Sequence, residues 1–509
     1  MRRMVTDRRF GWLLMGLALL VSCARDEGIG DRYRAEQMYY RASKLYQTLQ
    51  IDQGEISSER FGRIRESFRR IIEEYPASTL DQTEEYDETV RQELFRITGM
   101  SQLNLADLFT QEGQIDSAIT AYRKVLSGYG HQRSLSSRAQ YSLALVYQSA
   151  DRWSEAVTAF ETLLEEYPPF RETPQQPDEI ILNIPGYVAS TYLSRGDSAM
   201  AGQYFQKAHD FLSRVTEQWP QTPTARMAQN QIVNAYIIQQ RWSSAVSALE
   251  RLAAMSEEGD DPADALFLMA TLYSERLGDF DRAMGIYTDM LQRYPDSDKL
   301  GRAVLAMGQI HLQKGELQEA RGAFGRVIES YSDDHTACAT AQYALALSYE
   351  FEGDWEKALN EFRWVLDNYP GSREAFAVPN HIFEHYRQYG EQELAQTAYR
   401  QALRTYSDIV TKRPGTPQAL QGQWHIAQAH ILMQSWEQAA AALEQLVQDY
   451  PQSQQVLPAL MSLGEIYELY LDRIDQAMGA YQMVVRLAPR NPYASIAAEH
   501  VDRLQKALP

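Results

Sequence analysis

A repeated apolar pattern constrains the fold of this chain more than any other feature. An alanine is followed by an aromatic residue or leucine at the fourth position, a large apolar residue at the seventh, and often Tyr-Pro at the eleventh and twelfth. Apolar residues at this spacing share one face of an α-helix, and proline cannot continue that helix. The clearest copies begin at Ala156, Ala283, Ala358 and Ala439. Each copy therefore predicts one amphipathic helix with a defined end.

The copies recur at a nearly constant distance. Weaker copies begin at Ala118, Ala245, Ala320 and Ala477, Ile64 takes the alanine position in the first copy, and neighbouring copies mostly lie 37 or 38 residues apart. A second helical stripe and a polar turn precede each alanine. Two helices per unit and a fixed period are typical of a solenoid. We predict an all-α, right-handed superhelical α-solenoid of about eleven helix-turn-helix repeats, closed by a C-terminal capping helix.

Two repeats carry a longer second helix. The pattern at Ala201 restarts in phase at Ala208, and the pattern at Ala395 restarts at Ala402, so each helix contains seven additional residues. Seven residues are close to two helical turns, so the apolar face is kept while the helix lengthens by roughly 10 Å.

Residues at the repeat boundaries are expected to pack and to cap. The residue three positions before the alanine is a large aromatic, which is expected to fill the space between neighbouring repeats. These residues are Trp153, Trp242, Phe280, Trp355 and Trp436. A serine two residues after the proline is expected to cap the next helix, as at Ser78 and Ser453.

The N-terminus carries an export signal. Arg2, Arg3, Arg8 and Arg9 precede an uncharged stretch at residues 10–21. This stretch is too short for a transmembrane helix of about 20 residues. The stretch ends in Leu20-Val21-Ser22-Cys23, which resembles the bacterial lipobox. The resemblance implies cleavage before Cys23, acylation of its thiol and, because Ala24 rather than Asp follows, transfer to the outer membrane. The alternative is an ordinary signal peptide with an unrelated cysteine.

The charge balance excludes a class of partner. The chain has 49 basic and 68 acidic residues, a net charge of -19, and loses four arginines and one aspartate with the signal peptide to reach -22. Such a chain repels the phosphates of nucleic acids, and its sequence contains no basic groove.

Cys23 and Cys338 are the only cysteines, which excludes a disulfide framework and a multi-cysteine zinc site. Cys338 is expected to be a small buried residue.

The small residue, the aromatic residue and the terminal proline of each copy resemble the tetratricopeptide repeat, although the period is longer than the usual length of about 34 residues. The longer period and the Tyr-Pro-x-Ser junction are similar to repeats of Gram-negative envelope proteins. Two such proteins are the lipoprotein of the outer-membrane β-barrel assembly machinery and the periplasmic coordinator of the Tol-Pal system. The resemblance implies a protein-binding scaffold that needs no cofactor and is not an enzyme.

In tetratricopeptide domains, partners lie along a groove formed by the first helices, at positions fifteen and eleven before the repeat alanine. Aromatic and amide side chains at these positions suit an extended chain, because rings pack on side chains and amides bond to the backbone. The alternative is that these residues only solvate the groove. The candidate groove residues are Tyr141, Asn230, Asn234, Tyr343, Asn380, Glu384, Trp424 and Gln428.

One segment matches a catalytic motif. His381-Ile382-Phe383-Glu384-His385 has the His-x-x-Glu-His pattern of inverted zinc peptidases. Both imidazoles would share one helical face, so His381 and His385 are weak candidate metal ligands. The segment also lies in phase as the first helix of the repeat at Ala395, which favours a packing role.

We divide the chain into a lipoprotein signal peptide at residues 1–22, a tether and N-terminal helix at 23–59, a solenoid at 60–489 with a proline-rich loop at 168–179, and a capping helix at 490–509. The predicted function is a non-enzymatic scaffold, lipid-anchored in the envelope of a Gram-negative type of bacterium. It would bind other envelope proteins or extended peptide segments during outer-membrane protein assembly or the organisation of an envelope complex. The alternatives are a scaffold for polysaccharide export, a zinc-dependent peptidase, and a cytosolic adaptor if the N-terminus is not processed.

Overall fold

The computed structural model describes residues 27–51, 58–82, 86–167, 178–255, 262–489 and 491–507. The predicted signal peptide, Cys23 and most of the proline-rich loop lie outside these residues. All regular elements within the described ranges are helices. None of these helices is both long enough and apolar enough to cross a membrane. The chain divides into two compact units, Met1–Ile238 and Gln239–Pro509.

The first unit is built from consecutive helix hairpins. Its helices are α1 (Glu27–Ile51), α2 (Ser58–Glu74), α3 (Ala77–Leu80), α4 (Glu88–Gln111), α5 (Ile115–Gly128), α6 (Arg133–Ser149), α7 (Trp153–Glu166), α8 (Glu179–Ser194), α9 (Ser198–Gln218) and α10 (Pro223–Ile238). The N-terminal helix α1 packs on α2 and α4, while α4 with α5, α6 with α7, and α8 with α9 form hairpins. Successive hairpins pack on one another, as α5 does on α6 and α9 on α10.

The second unit continues the same architecture. Its helices are α11 (Trp242–Ala254), α12 (Ala263–Leu272), α13 (Phe280–Arg293), α14 (Leu300–Lys314), α15 (Leu317–Ser330), α16 (His335–Glu352), α17 (Trp355–Asn368), α18 (Arg373–Gln388), α19 (Gln392–Lys412), α20 (Pro417–Leu432), α21 (Trp436–Asp449), α22 (Val456–Leu469), α23 (Ile474–Leu487) and α24 (Pro492–Ala507). A π-helical turn, Tyr273–Leu277, extends α12. Hairpins run from α12 with α13 to α22 with α23, and α24 packs on α23 as the predicted C-terminal cap.

The apolar pattern of the sequence forms the core of both units. Ala358, Phe362 and Val365 of α17 are fully buried, and the matching residues of α7, α13 and α21 are buried as well. Each of these four helices ends directly before a tyrosine that leaves the helical conformation, as Tyr369 does with φ -126° and ψ 49°. The following proline removes the next backbone donor. The predicted all-α solenoid of helix-turn-helix repeats is confirmed.

The two longer second helices occur where the sequence predicts them. Helices α9 and α19 each have 21 residues, whereas α7, α13, α17 and α21 each have 14. Ala201 and Ala208 are both buried in α9, and so are Ala395 and Ala402 in α19. The seven additional residues therefore lengthen the helix without rotating its apolar face away from the core.

Both predicted serine caps are wrong. Ser78 lies inside the four-residue helix α3. The Oγ atom of Ser453 is buried and has no hydrogen-bond partner among the described residues, because turn residues delay the start of α22 to Val456. A serine caps only where the helix begins directly after it. Ser372 does so for α18, accepting a hydrogen bond from the backbone N–H of Ala375 at 3.0 Å.

The aromatic residues at the repeat boundaries are less buried than predicted. Trp153 is buried, whereas the other four keep an exposed edge, because they stand at the first position of the second helix, next to the turn. They still join neighbouring repeats. The Trp355 ring stacks on His385 with 3.4 Å between ring centroids, and Trp436 stacks on Tyr470 at 3.7 Å.

Candidate protein-binding groove

The first helices of neighbouring repeats lie side by side within each unit. In the first unit α4 contacts α6 and α8 contacts α10, and in the second unit α14, α16, α18 and α20 follow one another in contact. Side chains at equivalent positions of these helices are therefore brought together. The predicted groove residues are Tyr141 on α6, Asn230 and Asn234 on α10, Tyr343 on α16, Asn380 and Glu384 on α18, and Trp424 and Gln428 on α20.

Two half-buried aromatic residues mark this surface in the second unit. The Tyr343 ring packs on Phe362 with 5.3 Å between centroids, and its hydroxyl lies 3.4 Å from Nδ1 of His381. Burial raises the pKa of Tyr343 to about 12, so its phenol remains a neutral hydrogen-bonding group. Trp424 packs on the apolar cluster of the last repeats and keeps part of its ring exposed. Both rings are available as partial contact area for a partner.

Asn380 is the predicted groove residue that the structure removes from the exposed surface. Its side chain is buried, and its Nδ2 donates to the backbone carbonyl of His425 at 3.1 Å. Its Oδ1 atom is buried without a hydrogen-bond partner in the described part of the chain. The amide therefore links α18 to α20 instead of facing an incoming chain.

A stack of three rings lies beside this link. His425 of α20 is placed between Phe376 of α18, at 6.0 Å between ring centroids, and Tyr406 of α19, at 5.3 Å. Burial lowers the pKa of His425 to about 4, an effect that a hydrogen bond with the side chain of Gln428 partly opposes. The imidazole is therefore neutral at pH 7.

The first unit presents a smaller set of polar and aromatic side chains. Asn230 and Asn234 are exposed on α10, and Tyr141 is half-buried on α6. Tyr187 of α8 is 40% exposed, and its hydroxyl donates to Oε1 of Gln148 at 2.7 Å. Sequence reasoning missed Tyr187, because it lies one residue beyond the position used to select groove residues. An aromatic residue next to that position was the available signal.

The two histidines of the His-x-x-Glu-His segment pair with a glutamate outside the motif, and the glutamate of the motif pairs with an arginine. Nε2 of His381 and Nδ1 of His385 lie 2.7 and 2.6 Å from the two carboxylate oxygens of Glu350 on α16. Although burial opposes it, these hydrogen bonds hold the pKa of Glu350 below its ordinary value. Glu384 instead accepts two hydrogen bonds from Arg387 at 2.8 and 2.6 Å. In the described ranges, no group of three or more His, Cys, Asp or Glu side chains is arranged to hold a metal ion.

Comparison with protein families identifies the repeats. Tetratricopeptide-repeat models match residues 103–169, 264–297, 300–370, 421–453 and 458–491. The matched segments lie in both units and coincide with the helix hairpins. The chain therefore contains tetratricopeptide repeats, a class of repeat that forms protein-binding scaffolds.

Solved structures match this chain at low sequence identity and with TM-scores below 0.5. Yeast Tom70 is 11% identical with a TM-score of 0.43, over 93% of this chain and 96% of that chain. The structure of Naa15/Naa10 bound to HypK-THB is 14% identical with a TM-score of 0.34, over 92% of this chain and 67% of the other. A tetratricopeptide repeat protein from Parabacteroides merdae is 14% identical with a TM-score of 0.33, over 55% of this chain and 98% of its own. A search of curated proteins gives no significant match.

Proposed function

We propose that this protein is a non-enzymatic cell-envelope lipoprotein whose repeats bind extended segments of other envelope proteins. The observation that carries the proposal is the layer of first helices, on which aromatic and amide side chains stand on α8 and α10 in the first unit and on α16 and α20 in the second. An extended chain on such a layer finds rings for its side chains and amides for its backbone. Tyr187, Asn230 and Asn234 supply these groups in the first unit, and Tyr343, Trp424 and Gln428 supply them in the second.

The envelope location is supported by the N-terminal sequence. Leu20-Val21-Ser22-Cys23 has the form of a lipobox, and Ala24 favours transfer to the outer membrane. Acyl chains on Cys23 would hold the repeats at that membrane, facing the periplasm. The similarity of the Tyr-Pro junctions to those of envelope assembly proteins supports a role in outer-membrane protein assembly or in organising an envelope complex.

Site-specific cross-linking in living cells tests the binding surface. A photo-reactive amino acid is placed at Asn234 on the first-helix layer and, as a matched control, at Thr158, which is exposed on the second helix α7. We expect discrete cross-linked partners at Asn234 and none, or only weak ones, at Thr158. The same partners at equal yield from both positions would contradict a groove-based function.

A metal assay separates this function from the peptidase alternative. We expect the purified chain from residue 24 onward to contain no stoichiometric transition metal, because both imidazoles of the motif are already bonded to Glu350. Elemental analysis is repeated on a His385→Ala variant as the control. Close to one zinc per chain, lost in that variant, would favour the peptidase.

A further inference from the structure

The N-terminal helix α1 has two faces of different character. Ala35, Ala42 and Leu49, spaced by seven residues, are buried against the helices that follow. Tyr33 and Tyr40, also seven residues apart, are 63% and 67% exposed. Residues seven apart lie close together on one helical face, and residue 33 lies roughly 200° around the helix from residue 35. The two tyrosines therefore form a stripe that faces away from the core of the first unit.

Basic side chains accompany this stripe. Lys44 follows Tyr40 by four residues, which places it on the same face, and Arg41 lies beside it; both are exposed. Tyrosine prefers the boundary between hydrocarbon and headgroups, where its ring is in an apolar layer and its hydroxyl in a polar one. Lysine and arginine at that boundary are attracted to anionic lipids.

The charge distribution along the chain also favours contact between the N-terminal end and an anionic surface. Residues 24–74 contain 10 basic and 10 acidic side chains, whereas residues 75–509 contain 35 basic and 57 acidic ones, a net charge of -22. An anionic membrane therefore repels most of the protein but not its first two helices. With equal numbers of basic and acidic side chains, this end of the chain can approach such a surface without a net electrostatic penalty.

The proposed lipid anchor lies next to this end. Cys23 precedes the first residue of α1, Glu27, by four positions. Four residues span at most about 14 Å, which is close to the diameter of one helix with its side chains. If Cys23 carries acyl chains, the beginning of α1 cannot be further than this from the membrane surface.

We propose that the face of α1 formed by Tyr33, Tyr40, Arg41 and Lys44 lies on an anionic lipid surface and orients the repeats relative to it. This inference rests on the proposed lipid anchor. The contact is too small to hold the protein by itself, so the acyl chains anchor and the helix orients. The partner of this face is the headgroup layer of the membrane rather than a protein.

Depth measurement with a nitroxide label tests the proposal. The acylated full chain is reconstituted in vesicles that contain phosphatidylglycerol, with Tyr40→Cys carrying the label. Cys338 is buried, and Cys23 would be acylated, so the new cysteine is the accessible thiol. The control label is at Thr158→Cys on α7. We expect the label at position 40 to collide more with lipid-dissolved oxygen and less with an aqueous nickel complex than the label at position 158.

A charge-reversal variant provides a second test of the proposal. The variant Arg41→Glu with Lys44→Glu should return the position-40 label to water while the protein still floats with the vesicles. A different result would be a label at position 40, with Arg41 and Lys44 unchanged, that is as accessible to water as the label at position 158 while the protein floats with the vesicles. In that case α1 does not contact the membrane, and only the proposed lipid anchor is retained. If the label is shielded equally in a Cys23→Ala chain without vesicles, another protein surface or a second copy covers the face, and the proposal is overturned. If mass spectrometry finds no acyl group on Cys23, the anchor and the membrane face both fail.

Discussion

At the scale of single residues, aromatic rings and imidazoles join the repeats to one another. Trp355 stacks on His385 across one boundary, and His425 lies between Phe376 and Tyr406 across the next. These contacts combine buried area with restricted geometry, so each one defines how two adjacent hairpins meet. Because burial lowers the pKa of His425, the stability of this part of the array depends on pH.

His425 is expected to make the protein less stable in mild acid. The folded protein keeps His425 neutral with a pKa of about 4, whereas the unfolded chain binds a proton with the ordinary pKa of 6.5. Between these values the unfolded state binds more protons, so the free energy of unfolding decreases as the pH falls through this window. The difference corresponds to at most about 3 kcal/mol.

A His425→Phe variant tests this effect, since phenylalanine keeps the ring stack and does not titrate. Urea unfolding of the variant should match the parent at pH 7 within about 1 kcal/mol and lose less stability on going to about pH 4.5. His335→Phe, at an exposed histidine on α16, is the control and should retain the acid sensitivity of the parent. An equal acid loss in the parent and in His425→Phe would show that other groups are responsible.

We expect Trp355 to contribute mainly to stability and Trp424 mainly to partner binding. Trp355→Ala removes a ring that stacks on His385 and packs on Phe362 at 6.1 Å. We expect a loss of about 3 kcal/mol, the lower end of the range for a buried aromatic residue, because one edge of Trp355 is exposed. Trp424→Ala should weaken the capture of partners with a smaller loss of stability.

Thermal melts and partner pull-downs of the two variants decide between packing and binding. Unfolding caused by Trp355→Ala can stay local, since each repeat contacts only its neighbours. A melting temperature lowered as much by Trp424→Ala as by Trp355→Ala would assign Trp424 to the core and remove it from the binding surface.

At the scale of elements, the two long repeats have a common design. Each has a proline inside its first helix, Pro185 in α8 and Pro379 in α18, and a 21-residue second helix. The two prolines lie 194 residues apart, as do the repeat alanines Ala201 and Ala395. Proline removes one helical hydrogen bond and bends the helix. A first helix with an internal proline is thus paired with a lengthened partner in both units.

Deletions in α19 test the role of helical phase. Removing residues 396–402 places Tyr406 and Ile409 four and seven positions after Ala395, which restores the common repeat pattern. We expect this variant to fold, with a helix content and a cooperative melt close to those of the parent. Removing residues 396–400 instead rotates the second half of the helix by about 140° and should expose its apolar face. Circular dichroism measures the helix content and the thermal melt of both variants. Equal stability of the two variants would show that the helical phase of the insertion does not determine stability.

At the scale of the whole molecule, an acidic repeat array is joined to a short N-terminal segment that would connect it to a membrane. None of the helices in the described ranges is long and apolar enough to span a bilayer. The attachment proposed above is acylation of Cys23. Two acyl chains are sufficient for stable anchoring, whereas the exposed tyrosines of α1 are not.

Replacement of Cys23 is expected to release the protein from membranes. Cys23→Ala removes the thiol that would carry the acyl chains, and the basic face of α1 is too small to hold a chain of net negative charge on anionic lipids. After cell fractionation and a high-salt wash, the variant should remain in the supernatant. Cys338→Ala, at a buried cysteine, should stay with the membranes as the parent does. A Cys23→Ala protein that still sediments with washed membranes would disprove the anchor.

The sequence by itself determined the helices, their lengths and their order. Apolar spacing and the Tyr-Pro stop act within one helix, so Ala358, Phe362, Val365 and Tyr369 specify α17 without reference to any other part of the chain. The phase of the seven-residue insertions is equally local, because it follows from the geometry of one helix.

Only the tertiary structure decided which side chains meet between repeats. His381 and His385 share a face with Glu384 in the motif, yet they bond to Glu350, more than 30 residues earlier, on the neighbouring first helix. Asn380 has the sequence position of a groove residue, but its amide is used by the backbone of His425. Such contacts depend on how far each hairpin is rotated and shifted against the next. That displacement is set by the fit of whole side-chain surfaces, which no single helix contains.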